Sequence, residues 1–420
     1  MKQIKPIKGI DATVRVPGSK SYTQRALITS ALASGRSIIR DALISEDTEY
    51  LIEALRSLGA KIAQEGLDLV VDGTGGKLVT PSSALYLGNN GTGLRFLTGT
   101  VSLGHGTFVL DGNSRMRQRP IQPLVDALNM MGVKACCVEG NGCPPVEVRA
   151  RGLPGGKTRL TTALSSQYLS SLLLASPYAE KDTEIEVSSQ LPSWPYIKLT
   201  LDVMAHFGVK LGVSERRLFS IKAPQAYQPR EYAIEGDLSS ASYFMAAAAI
   251  VGRTIKISNI NRGSLQGDLR FLEILETMGC NVSTSGEGIE VTGPLSNHED
   301  LSFDLNEVPD MVPALAVVSA FRKGKTILKN ILHLRAKETD RVAALTCELK
   351  KIGARAEETA DGMLVQGVAT HGAEIDCYSD HRIAMSFAIA GLAIEGISIK
   401  DPACVKKSFP DFWEKIESLG

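Results

Sequence analysis

Two apolar patterns alternate along this chain. In the first, apolar residues recur every three to four positions and each example stops at a glycine. It reads "LIEALRSLGAKI" to Gly59, "LVDALNMMGVKA" to Gly132, "LDVMAHFGVKL" to Gly208, "FLEILETMGCNV" to Gly279, "LTCELKKIGARA" to Gly353 and "FWEKIESLG" to Gly420. These are amphipathic helices closed by a left-handed C-terminal glycine. The first five run on into a short strand-like segment. The second pattern is apolar nearly all round and predicts buried helices, as in "SKSYTQRALITSALASG", "DLSSASYFMAAAAIVG" and "SDHRIAMSFAIAGLAIEG". A strand rich in β-branched residues follows each, such as "SIIRDAL" and "RTIKISNI". The capping glycines stand 67 to 76 residues apart, so the chain reads as six copies of one α/β unit.

Each copy contains one helix that must be surrounded. Three such helices wrapped by strands and outer helices make one domain, and six make two. The fourth copy starts in "YAIEGDLSSASYF", and the N-terminal strand, ending at "PGS", could pair with the second half. The expected organisation is therefore α/β with two domains of three units each. Residues 1–18 and 237–420 would form one domain and residues 19–236 the other, with a cleft between them.

Composition narrows the function. Lys+Arg and Asp+Glu both total 46, which argues against a general binder of nucleic acid or anionic membranes. No apolar run reaches the ~18 residues of a membrane span, and "FMAAAAIV" is the richest. The N-terminal stretch lacks the apolar core of a secretion signal, so a cytoplasmic protein is expected. Cys136, Cys137, Cys143, Cys280, Cys347, Cys377 and Cys404 fit no metal-ligand spacing and read as reduced thiols. "GTGGK" at Gly73 lacks the spacing and the Ser/Thr of a nucleotide phosphate loop and reads as a turn.

Chemistry gathers where the apolar helices begin. Lys20, Ser21 and Arg25 open the first, Asn89, Gly91 and Thr92 the second, and Ser165, Ser166 and Gln167 the third. Asp237, Ser239 and Ser240 open the fourth, Asp310 the fifth, and Asp380, His381 and Arg382 the sixth. Ser239, Ser240 and Asp380 read as N-caps. Capping does not account for Lys20, Arg25, Gln167 or Arg382. Free N–H groups at pseudo-symmetric helix ends form an anion site. Further cations come from "RMRQRP" before one amphipathic helix, from "KKSFP" before another, and from "KETDR", read as one helical turn with Lys337 and Arg341 on one face.

"PGSKSYTQRAL", "GNNGTGLRF", "RMRQRPI", "SSQYLSSLL", "EGDLSSASYF", "QGDLRF", "PDMVPAL", "RAKETDR" and "SDHRIAM" resemble, in order and end to end, the signatures of the 5-enolpyruvylshikimate-3-phosphate synthases. The resemblance implies an inside-out α/β barrel fold with two domains of three βαβαββ units. It also implies transfer of enolpyruvate from phosphoenolpyruvate to shikimate 3-phosphate, the sixth step of the shikimate pathway. By matching motifs, Lys20, Ser21, Arg25, Ser165, Ser166, Gln167, Ser193, Asp310, His333 and Lys337 would bind shikimate 3-phosphate. Lys20, Asn89, Gly91, Arg119, Gln167, Arg341, Arg382 and Lys407 would bind phosphoenolpyruvate. Asp310, Glu338 and Lys20 would be catalytic, Asp310 as base and Glu338 as acid. No cofactor or metal is implied, the herbicide glyphosate would compete with phosphoenolpyruvate, and a monomer is expected. His333 stands where the family commonly has asparagine, and Asn90 and Phe96 where alanine and proline are frequent. The sister transferases acting on UDP-N-acetylglucosamine usually carry a reactive cysteine in the loop "DGNSRMRQRP", which here has none.

The charges agree with such substrates. Each brings a carboxylate and a phosphate monoester of about −1.5 to −2. The pair meets Lys20, Arg25, Arg119, Lys337, Arg341, Arg382 and Lys407, seven cations opposed by the two carboxylates of Asp310 and Glu338. Burial would raise the pKa of Glu338 while Lys337 and Arg341 would lower it, and the sequence does not decide between them.

Overall fold

The computed structural model describes residues 1–161, 164–188, 192–285 and 288–420. They form two compact units, Met1–Pro17 with Glu235–Gly420, and Gly18–Ile234. The boundaries lie one to two residues before the expected ones. Asp237 N donates to Pro17 O (2.8 Å) and Gly236 N to Asn259 O (3.0 Å), which keeps this stretch in the first unit. Gly18 instead packs against Asp41–Leu43 of the second.

Helices alternate as the two patterns predict. They are α1 (Lys20–Leu32), α2 (Glu46–Ser57), α3 (Gly91–Thr100), α4 (Gln122–Met130), α5 (Gln167–Ala175) and α6 (Trp194–His206), then α7 (Leu238–Val251), α8 (Arg270–Thr277), α9 (Val312–Ser319), α10 (Arg341–Lys351), α11 (His381–Gly391) and α12 (Phe412–Glu417). Gly59, Gly132, Gly208, Gly279 and Gly353 end the first five amphipathic helices with φ between 85° and 104°. That backbone region suits glycine because it has no Cβ to clash.

The odd-numbered helices are buried. In α7 every residue from Leu238 to Ala249 is buried, with Phe244 against Phe409 and Phe412. Large apolar side chains buried this fully each contribute about 1.5–3 kcal/mol. α1 and α3 are less apolar than the pattern suggested, and hydroxyls are buried in them. Thr29 donates to Arg25 O (3.1 Å) and Thr98 to Leu94 O (2.8 Å), so the preceding turn satisfies them. Gly99 lets α3 approach α5, since a Cβ there would meet the Ser171 hydroxyl.

Among the described residues five sheets repeat one order, a parallel pair extended by an antiparallel hairpin. In Glu235–Gly420 with Met1–Pro17, strand Ile10–Val14 runs parallel to Arg253–Ile257, Ile10 opposite Arg253. In the other unit, Glu231–Ala233 runs parallel to Arg36–Arg40. Each unit thus completes one sheet with a strand from a distant stretch of chain. The sixth sheet has three strands, with Lys2–Gln3 against Ser398–Ile399. Among the described residues no helix is long and apolar enough to cross a membrane.

Candidate active site

In Gly18–Ile234 the starts of α1, α3 and α5 carry the predicted groups. Lys20 Nζ lies 3.4 Å from Asp47 Oδ2 in the first turn of α2. Asn90 caps α3, accepting from Gly93 N (2.8 Å), and its Nδ2 donates to Asp47 O (2.6 Å). One buried amide therefore ties the starts of α2 and α3. Arg119 Nη1 donates to Asn89 O (3.0 Å) and Asn89 Oδ1 (3.1 Å). A Cβ on Gly91 would stand 2.6 Å from the Arg119 guanidinium, so a bare backbone at Gly91 leaves that guanidinium its place. Of the neighbouring arginines, Arg117 pairs with Asp111 (2.6 Å) and Arg115 reaches Gln118 (3.3 Å).

Gln167 joins α5 to α3. Its Nε2 donates to Thr92 Oγ1 (2.8 Å) and its Oε1 accepts from Arg95 Nη1. Ser165 Oγ accepts from Gln167 N (3.2 Å), and Ser166 is buried. Ser193, also buried, precedes α6 with φ 60°. Such a conformation in a residue other than glycine costs about 1–3 kcal/mol and persists where its surroundings fix it. Arg25 reaches inward. It donates to Thr200 Oγ1 (2.8 Å), Ser21 O (2.8 Å) and Tyr196 O (3.0 Å), and lies over the Phe96 ring. Burial pushes its pKa down to about 10, so it remains a cation at neutral pH.

In the other unit, Arg341 is the centre of an ion cluster. It is 1% exposed. Its Nε donates to Asp380 Oδ2 (2.8 Å), its Nη2 to Glu338 Oε2 (2.8 Å) and its Nη1 to Asp310 Oδ1 (3.3 Å). Arg382 Nη2 stands 2.9 Å from the other Asp310 oxygen, and its Nη1 donates to Tyr243 OH (3.3 Å). Burial disfavours the Arg341 charge, but Asp380, Glu338 and Asp310 together outweigh it and raise its pKa. Lys407 is buried while Lys406 is exposed. His333 is buried with Nε2 lacking a hydrogen-bond partner. Burial, then the Lys337 charge, pushes its pKa down to about 4, so it is a neutral imidazole at pH 7.

Two expectations need correction and a third is borne out but incomplete. "KETDR" is not one helical turn. A 3-10 helix covers Leu332–Ala336, Lys337 ends it with extended backbone, and Asp340 caps a new helix at Arg341. Lys337 and Arg341 therefore do not share a helix face. Asp380 does cap α11, accepting from Arg382 N (2.9 Å), but it is also the closest ionic partner of Arg341 Nε. It adds a third carboxylate where two were counted. Asp237 caps α7 through Ser240 N (2.7 Å), so neither Ser239 nor Ser240 is the cap, and the Ser239 hydroxyl instead donates to Asp268.

Sequence reasoning gave no role to Asp47, Arg95, Tyr243 or Asp268. Arg95 stands one turn from Gly91 in "GTGLRF", a spacing that could have suggested it. Asp47 and Tyr243 carried no local signal.

Asp268 lies in the motif "QGDLRF", with Oδ1 buried and without a hydrogen-bond partner. Burial, then the charge of Asp310, pushes its pKa up from 3.8 to about 7. Between those values the folded protein keeps a proton that the unfolded chain has released. Stability therefore falls as pH rises from about 4 to 7 and is level above that range. Asp268→Asn removes the titrating group. The variant is expected to melt higher than the parent at pH 8 but alongside it at pH 4. An equal offset at both pH values in thermal melts would contradict this assignment.

The chain matches the family model described as EPSP synthase (3-phosphoshikimate 1-carboxyvinyltransferase) over residues 4–416. It is 41% identical over 420 residues to the 3-phosphoshikimate 1-carboxyvinyltransferase of Syntrophobacter fumaroxidans, covering 100% of this chain and 99% of that protein. Among solved structures it is similar to EPSP synthase from Acinetobacter baumannii, with TM-score 0.82, 29% identity, and 100% and 98% of the two chains covered. The enolpyruvyl transferase NikO from Streptomyces tendae shares the fold, with TM-score 0.80, 19% identity, and 100% and 97% covered.

Proposed function

Because the chain belongs to the EPSP synthase (3-phosphoshikimate 1-carboxyvinyltransferase) family, we propose that its clustered helix-start residues divide the work of that one reaction. The enzyme transfers the enolpyruvyl group of phosphoenolpyruvate to the 5-hydroxyl of shikimate 3-phosphate. The products are 5-enolpyruvylshikimate 3-phosphate and inorganic phosphate. Lys20, Ser21, Arg25, Ser165, Ser166, Gln167 and Ser193 bind shikimate 3-phosphate, with Asp310, His333 and Lys337 at its ring. Lys20, Asn89, Gly91, Arg119, Gln167, Arg341, Arg382 and Lys407 bind phosphoenolpyruvate.

The observation that carries this reading is the Arg341–Arg382 cluster, in which Asp310 and Glu338 occupy the guanidiniums. An arriving phosphoenolpyruvate competes for those cations with its carboxylate and phosphate. Glu338 then loses its closest cation and gains proton affinity. It becomes able to protonate the methylene carbon. Asp310, displaced from Arg382, accepts the proton of the 5-hydroxyl as that oxygen attacks C2. The cations stabilise the tetrahedral ketal phosphate, and phosphate leaves. Substrate binding thus converts structural carboxylates into catalytic ones. Neutral His333 offers the ring a hydrogen bond without adding charge.

The division is tested by phosphate release with each substrate varied. Arg382→Lys should raise KM for phosphoenolpyruvate, and Ser166→Ala KM for shikimate 3-phosphate. A crossed pattern would overturn it. The same assay addresses glyphosate, proposed to compete with phosphoenolpyruvate. The added methyl of Gly91→Ala meets Arg119 first, so the guanidinium proposed to hold phosphoenolpyruvate must shift. The longer ligand has less room there. Overpacking of about 1–3 kcal/mol would raise the glyphosate inhibition constant about tenfold or more beyond the change in KM for phosphoenolpyruvate. Equal factors would mean that Gly91 does not discriminate.

A further inference from the structure

Asp380, which holds Arg341 and caps the helix carrying Arg382, ends an unusual turn. Strand Glu374–Ile375 leads into it, and Tyr378 and Ser379 both take left-handed backbone, φ 52° and 54°. Neither is a glycine, and two such residues in succession need to be held. Inside the turn, Tyr378 N donates to Asp376 Oδ1 (3.0 Å) and Asp380 N to Cys377 O (2.7 Å). From outside, Glu348 grips it twice. Its Oε2 accepts from Asp376 N (3.1 Å) and its Oε1 from Tyr378 OH (2.7 Å).

Glu348 is 0% exposed and lies seven residues after Arg341 on α10, so the two side chains share a face two turns apart. One helix face therefore holds both ends of the turn, Arg341 at Asp380 and Glu348 at Asp376 and Tyr378. Lys351 also pairs with Glu348 (2.7 Å), yet both carboxylate oxygens still engage the turn.

We propose that Glu348 is a positioning residue for the phosphoenolpyruvate-side arginines: through Asp376 and Tyr378 it fixes the left-handed turn that sets Asp380, and so orients Arg341 and Arg382. This rests on the reading that those arginines hold phosphoenolpyruvate. Glu348 itself touches no substrate. A hydrogen bond to a charged group contributes about 1.5–3 kcal/mol, which is roughly tenfold or more in a constant.

The test is steady-state kinetics of Glu348→Ala, Glu348→Gln and Tyr378→Phe, with melting temperatures alongside. Glu348→Ala should raise KM for phosphoenolpyruvate about tenfold and leave KM for shikimate 3-phosphate nearly unchanged. Tyr378→Phe, which removes one hydroxyl, should move the same constant by less. Glu348→Gln still accepts from Tyr378 and should recover most of the loss. Adding Ser379→Gly to Glu348→Ala should restore part of it, since glycine takes the turn's backbone freely. A lowered melting temperature with unchanged KM for phosphoenolpyruvate would overturn the proposal. If Glu348→Ala does not fold, Tyr378→Phe decides by the same criterion. Arg382→Lys serves as the reference. If it leaves KM for phosphoenolpyruvate unchanged, the assignment of the arginines fails. If it raises KM while the Glu348 and Tyr378 variants do not, only the positioning role fails.

Discussion

Glu338→Gln is expected to bind both substrates near normally and to lose about 10²–10⁴-fold in turnover, the usual contribution of a positioned general acid. The amide matches the carboxyl in size and can still accept from Arg341 Nη2, which lies 2.8 Å from Glu338 Oε2. It cannot deliver a proton to carbon. If phosphoenolpyruvate removes the Arg341 partner of Glu338, the alkaline limb of the kcat profile, where a general acid loses its proton, should also change in the variant. Binding titrations beside single-turnover kinetics separate the two effects. Near-normal turnover would take the acid role away from Glu338.

Asp380→Ala is expected to destabilise the fold by about 3–5 kcal/mol, the range for removing one partner of a buried ion pair. Asp380 and Arg341 are both essentially inaccessible, at 0% and 1% side-chain exposure, and lie 2.8 Å apart. Truncation leaves Arg341 with Asp310 and Glu338, the two carboxylates proposed as base and acid. It also uncaps α11 at Arg382 N, a further loss of about 1 kcal/mol. Urea denaturation at neutral pH measures the change. A loss below about 1 kcal/mol would place the pair among weak surface bridges and contradict the buried geometry.

The repeat was legible because its signals are local. A 3.6-residue apolar period, a glycine at the helix end and a β-branched strand after it need no knowledge of distant residues. Gly59, Gly132, Gly208, Gly279 and Gly353 all take the left-handed backbone this logic requires. The candidate site was legible as residue types and less so as geometry. Arg115, Arg117 and Arg119 look alike in sequence, and a 3-10 turn over Met116–Gln118 decides which of them reaches Asn89. Lys406 and Lys407 differ in the same way. "KETDR" has helix-compatible residues throughout, so nothing in it reveals the break at Lys337. Asp380 was read by its nearest backbone N–H, and its bond to Arg341, 39 positions away, has no local trace.

The strand pairing of Ile10–Val14 with Arg253–Ile257 has a consequence for biosynthesis. The two strands lie 243 residues apart in the chain. During translation at ~5–20 residues per second, Ile10–Val14 emerges early and waits roughly 12 to 50 seconds for its partner. Meanwhile Gly18–Ile234 is contiguous and holds all the strands of its own sheets, including Glu231–Ala233. It can close while the remaining chain is still on the ribosome. This early strand thus stays unpaired until more than half of the chain is made, and until then its backbone is an open edge of the kind that recruits other chains. Nascent protein is most exposed to misassociation at its amino terminus, where a chaperone or a folded first unit has the longest interval to guard.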